Sequence, residues 1–131
     1  LDAIRWHLDT YQQRTGIVVE LIHEGEERRY AGPVEIATYR VVQEALTNIA
    51  RHAHAEHASV QIQDDAETLT VTIRDDGHGF LPNGGGRTSG LSGMRERVEL
   101  LGGMLTLDSR EGRGTTITAH IPIDQPEEDA P

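Results

Sequence analysis

Residues 34–53 read VEIATYRVVQEALTNIARHA, and the spacing within this stretch decides how the rest of the chain is parsed. Val34, Ala37, Val41, Val42, Ala45, Leu46, Ile49 and Ala53 recur at three- and four-residue steps, which predicts a helix with one apolar stripe facing a core. Pro33 suits its first turn, where a missing N–H costs nothing. Working outward, Ile17–Ile22 (IVVELI) is a β-branched run that predicts a strand. Before it, Leu1–Arg14 places Ile4, Leu8 and Tyr11 at helical spacing beside Trp6, and Thr15-Gly16 stops that helix. After the long helix, Ala58–Gln63 and Leu69–Arg74 alternate apolar and polar residues around Asp64-Asp65-Ala66-Glu67, the pattern of a β-hairpin. Asp75–Gly93 is glycine-rich and too long and irregular for an ordinary turn. Met94–Leu101 predicts a further helix, stopped at Gly102-Gly103. Met104–Leu107 and Thr115–Ile121 then read as a second hairpin around Ser109–Gly114.

Helices and hairpins within one small chain predict an α+β fold, a two-layer sandwich. Residues 16–123 form the expected domain. Residues 1–15 read as the end of an upstream helix or a linker, and the acidic tail 124–131 (DQPEEDAP) is expected to be disordered. The chain opens at Leu1 rather than Met, without a basic-then-apolar leader, which suggests a piece of a longer protein.

Composition narrows the function. The 131 residues carry 22 acidic and 12 basic side chains, a formal net charge of −10. That balance argues against a duplex nucleic-acid binder, which needs a basic face. Aromatic residues make up only 4%, leaving few platforms on which single strands could stack. The mean hydropathy of −0.49 and the shortness of every apolar run exclude a bilayer-spanning helix. The chain has no cysteine, so disulfide frameworks and thiolate-bound zinc are excluded and a cytoplasmic setting fits. It also has no lysine, which rules out a Walker-A P-loop and a protein-kinase ATP lysine.

Four places could carry chemistry. On the long helix, Glu44 and Asn48 lie one turn apart on one face, with Arg40 behind them and Arg51 and His52 one turn beyond. A carboxylate, an amide oxygen and a guanidinium in a row suit hydrated Mg²⁺ and the phosphates it accompanies, although many such stripes are solvated faces. Next, Asp75-Asp76-Gly77-His78-Gly79-Phe80 follows an apolar strand directly. A carboxylate there can accept a hydrogen bond from an exocyclic amine, and the glycines let backbone approach a flat ligand; Asp-Gly is equally a common turn pair. Third, Gly84-Gly85-Gly86 and Gly90-Leu91-Ser92-Gly93 run into a helix, as a phosphate-binding helix start or a closing lid would. Their spacing also suggests a dinucleotide fingerprint, but the βαβ unit that fingerprint needs is missing. Fourth, Gly112-Arg113-Gly114-Thr115 makes a turn whose threonine begins a strand with its hydroxyl placed for a base or a water. His52, His54 and His57 do not make a convincing metal set, and His7 reads as a helix-surface residue.

Taken in order, QEALTNIARH (residues 43–52), DDGHGF, GLSGMRERV and GRGTTI resemble the ATP-binding domain of two-component sensor histidine kinases. The closest likeness is to the subfamily that signals to LuxR/NarL-type response regulators. The resemblance spans roughly Ile17–Ile123 and implies the Bergerat fold shared with gyrase, heat-shock chaperone and mismatch-repair ATPases: a mixed, mostly antiparallel sheet with helices on one face. It further implies that Asn48 ligates Mg²⁺ and that Glu44 is the catalytic residue, matching the acid that in hydrolysing relatives orients or activates the nucleophile. Arg51 and His52 fall where the family usually has Lys-His near the phosphates; arginine keeps the charge and changes its geometry. By the same resemblance Asp75 bonds the adenine amine, Gly77 and Gly79 flank the base, Gly90 and Gly93 border the phosphates, and Thr115 bonds adenine. The implied cofactors are ATP and Mg²⁺, with Arg51 and Arg95 countering the acidic field.

The implied partners are a dimerising helical domain carrying the phosphoacceptor histidine, supplied from outside these residues, and a response regulator downstream. Nucleic acid is not among them, and the fragment is expected to be a monomer that binds ATP without phosphorylating itself. The parent kinase could be membrane-anchored. Two other readings remain open: an anti-sigma-factor serine kinase of the same superfamily, and a nucleotide-free protein-interaction module.

Overall fold

Alternation along the strands gives the sheet one wet face and one dry one. In the computed structural model, which describes residues 2–25, 28–53, 55–77, 89–110 and 114–123, Ala58, Val60 and Ile62 point inward from β2 (His57–Asp64). Leu69, Val71, Ile73 and Asp75 do so from β3 (Thr68–Asp75), and Thr115, Ile117, Ala119 and Ile121 from β5 (Gly114–Pro122). Between them, Gln61, Thr70, Thr72, Thr116 and Thr118 remain partly accessible. A period of two, buried on one side only, is the mark of a sheet covered on a single face.

Five strands make that sheet in the order β1-β2-β3-β5-β4, with β1 at Val18–Glu24 and β4 at Met104–Arg110. Three of the four pairings are antiparallel, and β1 runs parallel to β2. A parallel neighbour requires a crossover, and α2 (Gly32–Asn48) supplies it. α1 (Asp2–Thr15) precedes β1, and α3 (Ser89–Leu100) connects β3 to β4. The core draws Ile4, Leu8 and Tyr11 from α1, Val41, Val42, Ala45 and Leu46 from α2, and Met94 and Val98 from α3 onto the apolar sheet face. The expected mixed, mostly antiparallel α+β sandwich is therefore the observed architecture.

Element ends differ from the sequence reading. The helix expected over 34–53 is α-helical only to Asn48, and Ile49–Ala53 forms a π-helical turn. An apolar stripe does not distinguish the two, since the wider turn keeps Ile49 buried. The helix expected from Met94 begins at Ser89, so Gly90 and Gly93 are helical residues rather than loop. Low glycine propensity is a weak prior, and the packing of Met94 and Val98 overrides it. The tail 124–131, the run Gly84-Gly85-Gly86, and Gly79 lie outside the described residues.

At the hairpin end of β3 a polar clasp joins the β1–α2 connection to the β2–β3 turn. Asp64 accepts two hydrogen bonds from Arg28 (2.7 and 3.1 Å), one from the Tyr30 hydroxyl (2.6 Å) and one from the Ala66 N–H (2.8 Å). Arg29 pairs similarly with Glu35 (2.8 and 3.0 Å), which also accepts the Tyr30 N–H. The Arg28 guanidinium holds the Asp64 carboxyl well below the usual carboxylate range, against its burial. Arg29 and the Tyr30 N–H lower Glu35 to about 2. Both groups bind protons more weakly folded than unfolded, so their stabilisation is complete above the ordinary carboxylate range and is lost as pH falls below it. Denaturant titrations between about pH 6 and about pH 2.5 should show stability falling toward acid, less steeply in Asp64→Asn than in the parent. Parallel curves would remove the clasp as a cause of acid sensitivity.

Candidate functional site

The alternation that turns Leu69, Val71 and Ile73 inward carries Asp75 inward as well, leaving it 5% exposed at the end of β3. Its Oδ1 accepts the Gly77 N–H at 2.7 Å, and the Thr115 backbone N–H donates to the same carboxylate. Burial pushes its pKa up; the Gly77 N–H opposes that, the neighbouring Asp76 charge adds to it, and the Thr115 N–H opposes it. Asp76 has a different task. Its Oδ1 accepts the N–H groups of Glu56 (3.0 Å) and His57 (3.1 Å), and its Oδ2 meets His57 Nδ1 at 3.3 Å. One carboxylate of the pair therefore clasps the start of β2, while the other stays within the fold.

Thr115 faces Asp75 from the first turn of β5. Its hydroxyl lies 2.9 Å from Ser109 Oγ, its cross-strand partner on β4. The sequence placed Thr115 with a hydroxyl at a ligand's disposal; the structure engages that hydroxyl with Ser109, leaving it further bonding capacity. Gly114, before it, has φ +90° and passes so close to the Asp75 carbonyl that a Cβ would collide with it. Ser109 and this role of Gly114 escaped the sequence reading. Both follow from register between β3, β5 and β4, which a single strand's pattern does not carry.

Asn48, the last residue of α2, closes the group. Together with Asp75, Thr115, Ala45, Ile49, Ile73 and Ile117 it lines a cavity of about 10 Å³. That volume suits about one water, so a purine would have to open it. The Asn48 Nδ2 is buried without a hydrogen-bond partner. Amide O and N exchange places on rotation, so either of them can occupy this position. A buried polar group without a partner is rare in a folded core, and the cavity beside it has room for about one water or one ligand atom.

The other residues singled out by sequence do not line this cavity. Glu44 sits one turn earlier on α2, half-buried and outside the cavity lining. Arg51 is exposed on the π-helical turn, which also contains His52, whose side chain lies outside the description. Gly77 is buried beside Asp75. Gly90 and Gly93 belong to the start of α3, where a Cβ at Gly93 would meet open space. Arg95 donates to the Leu105 carbonyl of β4 at 3.4 Å. A larger cavity, about 440 Å³, opens at the opposite end of β3 beside Tyr30 and Tyr39. The charged groups Arg28, Arg29 and Glu35 on its wall are already bonded within the clasp.

Residues 34–125 match the family of histidine kinase-, DNA gyrase B- and HSP90-like ATPases. The chain belongs to this family. Among its curated relatives, this ATPase domain is 40% identical over 124 residues to the signal transduction histidine-protein kinase/phosphatase DegS of Brevibacillus brevis, covering 94% of the chain and 32% of that protein. It is 40% identical over 126 residues to the sensor histidine kinase YxjM of Bacillus subtilis, covering 94% of the chain and 30% of that protein. The chain thus spans about a third of the length of these relatives. The histidine kinase domain of the Erythrobacter litoralis EL346 blue-light activated histidine kinase superposes with a TM-score of 0.72 at 25% identity, over 93% of this chain and 64% of that one. Acinetobacter baumannii histidine kinase AdeS shares the fold, with a TM-score of 0.74 at 15% identity over 95% and 63% of the two chains. Fold and sequence are those of a histidine-kinase ATPase domain.

Gly114→Ala tests how the pocket is closed. A left-handed non-glycine residue costs about 1–3 kcal/mol, and here the added carbon also displaces the Asp75 carbonyl. The variant should melt several degrees lower, and the Gly77 and Thr115 amide resonances should shift. An unchanged melting temperature would show that β5 closes on Asp75 without this constraint.

Proposed function

We propose that this ATPase domain binds Mg²⁺·ATP, with adenine against Asp75 and Thr115 and the phosphates beside Asn48. It then delivers the γ-phosphate to a histidine on a dimerising helical domain. The observation that carries this reading is the meeting, in one cavity, of a buried carboxylate with the unpartnered amide of Asn48. A carboxylate at that depth is costly unless donors reach it. An adenine amine is such a donor, and Gly77 lets backbone lie flat beside a ring. The amide oxygen of Asn48 is a hard ligand suited to Mg²⁺. When bound, the ion neutralises phosphate charge that a protein of net charge −10 would otherwise repel. Arg51, exposed three residues after Asn48, adds a fixed positive charge.

Transfer forms a bond from an imidazole nitrogen to the γ-phosphorus and breaks the bond to the β,γ-bridging oxygen, which leaves with ADP. In such a loose transition state the protein contributes chiefly by positioning and charge compensation. Glu44 orients the incoming imidazole by accepting a hydrogen bond from its far ring nitrogen. The parent acts in the cytoplasm, pairs with a LuxR/NarL-type regulator and dimerises through its helical domain; the 131 residues alone are monomeric. Incubated alone with labelled ATP, they should acquire no acid-labile label.

Asp75→Asn should weaken ATP binding by about 1.5–3 kcal/mol, roughly ten- to 150-fold, the range for a hydrogen bond to a charged group. Since it removes a desolvated charge, it should not lower the melting temperature. Calorimetry that finds unchanged affinity refutes the adenine role. Asn48→Ala should abolish the Mg²⁺ dependence of ATP binding while leaving adenosine binding in place. Equal magnesium dependence in variant and parent removes Asn48 from the metal's surroundings.

A further inference from the structure

Tyr11 is 1% exposed, and its hydroxyl donates a 2.8 Å hydrogen bond to the Leu46 carbonyl, thirty-five residues away. We infer that Tyr11 is a positioning residue for the metal end of the nucleotide site, fixing through the Leu46 carbonyl the junction that presents Asn48. The inference rests on the reading of Asn48 as a magnesium ligand.

Leu46 lies two residues before Asn48, where the hydrogen-bond ladder changes pitch. There the Ile49 N–H is shared between the Ala45 and Leu46 carbonyls, and the π-helical turn Ile49–Ala53 follows. In a continuing α-helix the Leu46 carbonyl would take the N–H four residues on; here it takes a share of the Ile49 N–H, three residues on, and its oxygen has a second lone pair to offer. Tyr11 supplies a second donor there. Its own helix is held to the sheet, because Gln12 Oε1 accepts the Val19 N–H of β1 at 2.7 Å. The junction is thus referenced to β1 as well as to its own helix.

Packing alone does not require this hydroxyl, since a phenyl ring fills the same volume and a buried hydroxyl is costly unless bonded. The charged groups that act on it are Asp75 and Arg14: burial and the Asp75 carboxylate raise its pKa to about 12, against Arg14. Tyr11 therefore stays a donor throughout the physiological range and lies within electrostatic reach of the adenine carboxylate.

Adenine contacts sit on β3 and β5, whereas Asn48 sits on the junction, so loss of the Tyr11 hydroxyl should separate the two. In Tyr11→Phe, the enhancement of ATP affinity by Mg²⁺ over an EDTA control should fall about three- to tenfold, as one net hydrogen bond commands. Binding of metal-free ADP should stay within about twofold. Hydrogen exchange at the amides of 49–51 in the ligand-free protein should quicken. Unchanged Mg²⁺ enhancement overturns the proposal, whether or not exchange quickens. So does an equal loss of metal-free and metal-dependent binding with a lowered melting temperature, which marks the hydroxyl as structural only. If the parent itself shows no Mg²⁺ enhancement, the assignment of Asn48 fails first and this inference falls with it.

Discussion

A carboxylate kept in apolar surroundings has to be met by donors, and Asp75 is met by the backbone of two different segments. Gly77 reaches it from its own turn, and Thr115 reaches it from β5. The second contact accompanies the strand order: β5 pairs directly with β3 and so separates β3 from β4. A left-handed glycine stands at 114, where the chain passes against the Asp75 carbonyl. Removing an ion from water costs several kcal/mol after relaxation. Two N–H groups offset part of that cost, and the remainder shows as a raised pKa.

The single dry face of the sheet places everything else. Since β1 is parallel to β2, the intervening helix has to cross the sheet, and α2 delivers its last turn above the ends of β3 and β5. Ala45, Ile49, Ile73 and Ile117 then form an apolar frame around Asn48, Asp75 and Thr115. At the other end of β3 the clasp on Asp64 uses charge to hold the loop before α2 in place. One end of the strand spends its polar groups on each other, and the other keeps an amide unmatched.

Most of this architecture is legible one residue at a time. Period-two burial in β2, β3 and β5 and the three- and four-residue steps in α2 are properties of local sequence. What is not legible depends on partners distant in the chain. The π turn after Asn48 preserves the apolar stripe, so no pattern marks it. Ser109 meets Thr115 only because of the β4–β5 register, and Tyr11 reads as one more apolar position until its hydroxyl is found on Leu46. Arg28 and Tyr30 lie in a charged run, and nothing nearby in sequence indicates that both converge on Asp64. The candidate site residues stand out through motif order, whereas the contacts around them are visible only in three dimensions.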